Sequence, residues 1–162
     1  MENILKLVSI FRVAMDTAKK EGKFIRDQRF NRFPTGCCGI TTELIGKFLR
    51  DNGISDTFTY VSASYYDYEL ENPPHAWLLI NEKIVVDITG DQFKNYPDPL
   101  KFDEPVYVGP YNFFYNMFEE ISRYNMGECK LDNHKYRCYM STEELYDMAC
   151  DIIIRDRLLQ KH

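Results

Sequence analysis

The segment from His75 to Thr89 reads HAWLLINEKIVVDIT and contains two nearly continuous apolar runs. These runs, 76–80 and 84–89, are separated by a short polar stretch, which is the pattern of two buried β-strands joined by a turn. A histidine opens the first run, and Asp87 lies inside the second. A carboxylate within an apolar strand is costly unless it is hydrogen-bonded or paired with a charge. The segment therefore predicts a hairpin in which His75 is a suitable partner for Asp87.

Strand parity decides whether these two side chains can meet. Side chains alternate between the two faces of a strand, so residues an even number of positions apart share a face. A five-residue loop would place His75 directly opposite Asp87, and a three-residue loop would make them diagonal neighbours within reach. A two-residue turn at Asn81-Glu82 would separate them unless a bulge intervened. We predict the odd-length loop, with the remaining apolar set packed against helices: Ala76, Leu78, Ile80, Ile84, Val86 and Ile88.

A second segment, FPTGCCGITTELIGKFLRDNGI at 33–54, places two cysteines where an amphipathic helix is expected to begin. The unpaired N–H groups and partial positive charge of a helix N-terminus favour the thiolate, which is the nucleophilic form of cysteine. That effect is about 1–2 kcal/mol, or about one pKa unit, so a thiolate at neutral pH also needs a histidine partner. Helical periodicity alone does not separate Cys37 from Cys38.

The choice of histidine is narrow, because the chain contains three. His162 is the terminal residue and is expected to fray. His134 lies in the polar stretch KLDNHKYRC, whereas His75 opens the most sheet-like part of the chain. We therefore predict that His75 activates the thiol and that Asp87 orients the imidazole, as in a Cys–His–Asp triad.

The rest of the chain predicts a single α+β domain over residues 1–162, with helices at both ends of the chain. Helical spacing of apolar residues indicates helices at 3–20 and 38–52, each followed by a glycine that can end it. A helix at 141–160 is indicated by a capping-box pattern at its start. Strands are expected at 57–66, 76–80, 84–89 and 106–108, and the stretch YNFFYNMFEEISRY at 111–124 is typical of a helix.

Composition excludes several classes of function. The net charge of −5 argues against a general nucleic-acid-binding protein. Apolar runs are too short to span a membrane, and the N-terminus lacks the pattern of a signal peptide. We therefore expect a cytoplasmic protein with reduced thiols. We also expect neither a metal nor a cofactor, because the spacing of the four remaining candidate ligands fits no common zinc pattern: Cys129, His134, Cys138 and Cys150.

Taken together, these motifs resemble the transglutaminase-like branch of the papain-like cysteine enzymes, in particular small bacterial cysteine peptidases of that type. That branch is characterised by G-x-C before a helix, then L-R-x-x-G-I, H-A-W and D-P-T. The interval from the nucleophile to L-R and to G-I fits when it is counted from Cys38. The matching residues are Gly36, Cys38, Leu49, Arg50, Gly53, Ile54, His75, Ala76, Trp77, Asp87 and Thr89, and Phe33, Pro34, Gly39, Leu78, Asp91, Gln92 and Phe93 match further positions in the bacterial proteins.

The resemblance implies a papain-like core, with the nucleophile helix packed on an antiparallel sheet. It implies an enzyme that hydrolyses a peptide or amide bond of a peptide or protein substrate, with Cys38 as nucleophile, His75 as base and Asp87 as the orienting acid. An acyltransferase, or a protein-glutamine deamidase or transglutaminase, on the same triad is the first alternative, and an inactive binding domain on this scaffold is the second. We expect the backbone N–H of Cys38 to be one oxyanion donor. For Gln28 a surface role is favoured over that of a second donor, and for Trp77 burial in the sheet is favoured over lining the cleft.

Overall fold

The computed structural model describes residues 1–67 and 69–160 of the chain, which form an α+β fold with a helix toward each end. The helices in the described residues are α1 (Glu2–Lys20), α2 (Cys38–Asp51), α3 (Phe113–Asn116) and α4 (Thr142–Leu159). The same part of the chain contains the strands β1 (Phe58–Ser64), β2 (Pro74–Ile80), β3 (Ile84–Asp87), β4 (Tyr107–Gly109) and β5 (Glu119–Asn125), and short 3-10 turns at Phe30–Arg32 and Gly90–Phe93.

The strands form one antiparallel sheet in the order β4-β3-β2-β1-β5. At the end of the β2–β3 hairpin, Ile80 pairs with Ile84, so the connecting loop contains the three residues 81–83. The predicted odd-length loop is confirmed. His75 and Asp87 are therefore diagonal neighbours on the same face of the sheet.

The sheet has a different core on each of its two faces. On one face, α2 packs on β2, and α1 and α4 pack against α2. The predicted packing against helices is confirmed for Leu78, Ile80, Val86 and Ile88, with Ile84 partly buried against the same core. The opposite face is covered by an aromatic cluster that we call the aromatic core: Trp77, Phe93, Phe114, Tyr115 and Phe118. His75 lies on this second face, with its ring centroid 5.1 Å from that of Phe93.

The predicted helices at 3–20, 38–52 and 141–160 are found, with small differences at their ends. α4 begins with the predicted capping box, in which Ser141 accepts from the backbone N–H of Glu144 and the Glu144 carboxylate accepts from the backbone N–H of Ser141. Strand boundaries differ from those predicted by one or two residues. Among the described residues, no helix has both the length and the apolar character that crossing a membrane requires.

The prediction of one helix over 111–124 is wrong. The helix there has a single turn, α3, and residues 119–125 form the edge strand β5, which pairs with β1. Every residue of β5 is exposed, so no alternation of buried and exposed side chains marks it in the sequence. Its conformation depends on backbone hydrogen bonds to the free edge of β1 and on stacking of Tyr124 on Tyr60, with ring centroids 4.8 Å apart.

Candidate active site

The structure separates the two adjacent cysteines at the start of α2. Cys37 is the N-cap residue and is buried, and its thiol donates to the carbonyl oxygen of Pro34 over 3.3 Å. Burial raises the pKa of the Cys37 thiol to about 12, so it stays protonated. Cys38 is the first residue of the helix and is partly exposed. Its backbone N–H is one of those that have no acceptor within the helix.

The predicted His75–Asp87 pair is formed. Nε2 of His75 lies 2.7 Å from Oδ2 of Asp87, and both side chains are almost completely buried. Asp87 accepts three further hydrogen bonds: from the Tyr115 hydroxyl at 2.9 Å, from the Thr89 backbone N–H at 2.7 Å and from the Thr89 hydroxyl at 2.9 Å. These four donors compensate for burial of the charge and hold the carboxylate in one orientation.

No sequence signal points to Tyr115, because the stretch around it is typical of an ordinary helix. Burial and the neighbouring Asp87 carboxylate raise the pKa of Tyr115 well above its usual value, so the hydroxyl remains a donor. Its ring belongs to the aromatic core and lies 6.4 Å, centroid to centroid, from the ring of His75. Tyr115 therefore holds Asp87 from outside the hairpin.

The electrostatics of the site favour an ion pair between the thiol and the imidazole. Burial acts to raise the pKa of Cys38, but the neighbouring His75 more than offsets it, with a smaller effect of the Ala76 backbone N–H, so this pKa is lower than usual. Burial acts to lower the pKa of His75, and the Asp87 carboxylate outweighs it and raises that pKa to about 10. Burial likewise acts to raise the pKa of Asp87, but His75 and the hydrogen-bond donors lower it. A proton on His75 and a negative charge on Cys38 stabilise each other.

A cavity of about 230 Å³ opens beside Cys38. It is lined by Cys38, by the preceding loop at Thr35 and Gly36, by Pro73 and Pro74 ahead of His75, and by Gln92, Phe93 and Tyr96. Pro73 and Pro74 end the tyrosine-rich segment SYYDYELENPP at 64–74, so this segment contributes to the wall of the cavity; Tyr68 within it lies outside the described residues. A larger cavity of about 560 Å³ lies between α1 and α4, and its lining includes no cysteine.

Gln92 is a second residue at the site. Periodicity and spacing do not predict its place there, although it is one of the residues that match the resemblance to the bacterial proteins. Its side-chain nitrogen lies 2.9 Å from Nδ1 of His75, the ring nitrogen that Asp87 does not occupy. The preceding residue, Asp91, is bound by the buried guanidinium of Arg12 at 2.7 and 2.8 Å. Arg12 thereby anchors the turn that carries Gln92 to α1.

The remaining sequence candidates lie away from this cavity. Gln28 is exposed and does not line the cavity. Trp77 is buried in the aromatic core, as favoured from the sequence, and its indole N–H donates to the Tyr111 hydroxyl over 3.3 Å. His162 lies outside the described residues. Within the described part of the chain, no three His, Cys, Asp or Glu side chains are grouped so as to hold a metal ion.

Comparison of the chain with protein-family models, with curated proteins and with solved structures returned no match. The geometry and chemistry of the site itself therefore indicate what the protein does.

Proposed function

We propose that the protein is a thiol-dependent acyl-transfer enzyme, most simply a cysteine peptidase or amidase with a papain-like, transglutaminase-like core. One observation carries the proposal: a partly exposed thiol at a helix N-terminus lines an open cavity, and the histidine whose charge lowers the pKa of that thiol has its Nε2 2.7 Å from a buried carboxylate. A nucleophile, a base and an orienting acid in this order are the parts that acyl transfer requires.

In the first step the sulfur of Cys38 attacks the carbonyl carbon of an amide, and the carbonyl π electrons move to the oxygen. The proton of the thiol is held on Nδ1 of His75, since Nε2–H donates to Asp87. Collapse of the tetrahedral intermediate breaks the C–N bond, and the leaving amine takes the proton from Nδ1. The product of this half-reaction is a thioester on Cys38.

In the second step an acceptor attacks the thioester and gives its proton to His75, and the sulfur leaves and is restored. Water as acceptor completes a hydrolase, and an amine completes a transferase. We assign hydrolysis of a peptide or protein substrate first, because water needs no additional binding site. Transfer and glutamine deamidation use the same three residues and the same thioester.

The pKa contrast between the neighbouring cysteines supports Cys38 as the nucleophile. Cys37 is buried, with a pKa raised by burial to about 12, whereas Cys38 faces the cavity and has a lowered pKa. Thiolate is the attacking form, so reactivity follows this difference. A reduced thiol of this kind suits the cytoplasm, which is the compartment we propose.

Alkylation by iodoacetamide near pH 6, with each labelled cysteine identified by mass spectrometry, tests the proposal. Every unit by which the pKa of Cys38 is lowered gives about tenfold more thiolate at this pH, so Cys38 should label before the other four cysteines. His75→Ala should remove that advantage, and His134→Ala is the matched control that should leave it unchanged. Labelling of Cys38 at the rate of the exposed Cys138, unaffected by His75→Ala, would refute the enzyme and favour an inactive binding domain.

Substrate class is then tested with a panel of electrophilic peptide probes of varied sequence. We expect covalent capture of at least one probe by the wild type, and none by Cys38→Ala. Transfer of the acyl group to an added amine, in place of hydrolysis, would identify the protein as a transferase.

A further inference from the structure

Gln92 lies on a turn that is anchored on both sides. Asp91, just before it, is bound by the Arg12 guanidinium through two hydrogen bonds of 2.7 and 2.8 Å. Phe93, just after it, is buried in the aromatic core, with its ring centroid 5.1 Å from that of His75. Gln92 itself is only partly buried and lines the cavity beside Cys38. A polar side chain on so rigid a support is positioned before any ligand arrives.

The amide of Gln92 bridges the two parts of the site. Its nitrogen lies 2.9 Å from Nδ1 of His75, and its oxygen lies 3.5 Å from the backbone nitrogen of Gly36, two residues before Cys38. The amide is therefore held next to the cavity that Cys38 lines, where the carbonyl group of a substrate must be placed for attack.

We propose that Gln92 is a catalytic residue that donates the second hydrogen bond to the oxyanion formed when Cys38 attacks a carbonyl group, with the backbone N–H of Cys38 as the first donor. This assignment rests on the proposed acyl-transfer function and completes its oxyanion site. An oxyanion needs preorganised donors on the side of the cavity where its charge develops, and the Gln92 amide has two N–H bonds.

The protonation of His75 determines when those donors are free. When the His75 ring is neutral, its proton is on Nε2, which donates to Asp87, and Nδ1 can accept from the Gln92 amide. When Nδ1 takes the thiol proton it becomes a donor, and the Gln92 N–H groups lose that acceptor. They are then available to the substrate oxygen while Cys38 carries the negative charge that attacks.

Other side chains with N–H donors are less well placed for this role. The Trp77 indole N–H already donates to the Tyr111 hydroxyl. Gln28, which offers the same amide group, is exposed and does not line the cavity. The Gln28→Ala variant is therefore a matched control for changes at Gln92.

Two reagents distinguish an oxyanion donor from a residue that only supports the site. A p-nitrophenyl ester acylates the thiol through a tetrahedral oxyanion: the S–C bond forms, the C–O bond breaks, and p-nitrophenolate is released and measured by absorbance. Iodoacetamide alkylates the same thiol by displacing iodide, and no oxyanion forms. Both rates depend on the Cys38 thiolate, and only the first depends on an oxyanion donor.

We expect Gln92→Ala and the similarly sized Gln92→Met to lower the acylation rate by about 10²–10³-fold, the range found when one oxyanion donor is removed. Their alkylation rates should stay within about threefold of the wild type or rise, because loss of the amide leaves the imidazolium and thiolate free to pair. Retained alkylation also shows that the site is folded. Gln28→Ala should change neither rate.

Three results would overturn the assignment. Equal acylation of Gln92→Ala and wild type would show that the amide stabilises no oxyanion. A parallel fall in acylation and alkylation would show that Gln92 only positions His75. Wild-type acylation no faster than that of Cys38→Ala would refute the acyl-transfer function itself, and with it the assignment of Gln92. This third result is distinguishable from the other two, because both of those require a reactive wild type.

Discussion

The buried guanidinium of Arg12 joins α1 to the segment that carries the site. It binds both carboxylate oxygens of Asp91, and its Nη1 also donates to the carbonyl oxygens of Ile88 and Pro105, each at 2.8 Å. Nε donates to Asp16 at 2.9 Å. The Arg12 side chain is 7% exposed and that of Asp91 is 12% exposed, so water can replace few of these bonds.

We predict that Arg12→Met, which keeps much of the side-chain length and removes the charge, destabilises the protein by about 3–5 kcal/mol. That is the cost found when one partner of a buried ion pair is removed, because the other charge stays buried without compensation. Here Asp91 would be left in that state, together with two carbonyl groups that lose their donor. For a domain of this size the melting temperature should fall by roughly 6–20 °C.

Urea unfolding followed by circular dichroism measures the change, with Arg123→Met as the matched control. Arg123 pairs with Glu82 and Glu120 on the surface, where an ion pair contributes about 0–1 kcal/mol. Adding Asp91→Asn to Arg12→Met should restore part of the loss, because it removes the uncompensated charge. A change in the free energy of unfolding of Arg12→Met no larger than that of Arg123→Met would contradict the prediction. So would a further loss on adding Asp91→Asn equal to the loss that Asp91→Asn causes alone.

Two further predictions concern the surroundings of Cys38. A Cβ at Gly39 would lie 2.7 Å from the Tyr60 hydroxyl oxygen, so Gly39→Ala should lower the free energy of unfolding in urea by about 1–3 kcal/mol. Adding Tyr60→Phe should regain most of this loss, and an equal loss with and without the hydroxyl would contradict the steric cause. Burial opposes protonation of His75, but the Asp87 carboxylate outweighs it and raises the pKa of His75 from 6.5 to about 10. The contribution of His75 to stability is therefore complete below about pH 6.5 and is lost as the pH rises through 10. The unfolding free energies of the wild type and His75→Ala, measured by urea unfolding across this range, should therefore differ most near pH 6.5 and converge toward pH 10, and a difference that grows with pH would contradict the pairing with Asp87.

Several parts of the site could be predicted because their signals are local. The capping box at Ser141, the apolar runs of the hairpin and the parity that brings His75 to Asp87 all depend on residues close together in the chain. A hairpin has few registers that bury its apolar face, so alternation and loop length were sufficient. Prediction of the edge strand β5 failed, because an exposed edge strand is specified by its partner.

The sequence by itself determined most of the elements, the hairpin register and a thiol at a helix N-terminus, since each follows from the periodicity or end signals of one segment. Only the tertiary structure decided what surrounds Asp87 and His75. The Tyr115 hydroxyl, the Gln92 amide and the Arg12 guanidinium come from segments whose periodicity and end signals do not indicate contact with the site. Their roles arise from contacts between residues 17 to 79 positions apart, where burial makes each polar group find a partner.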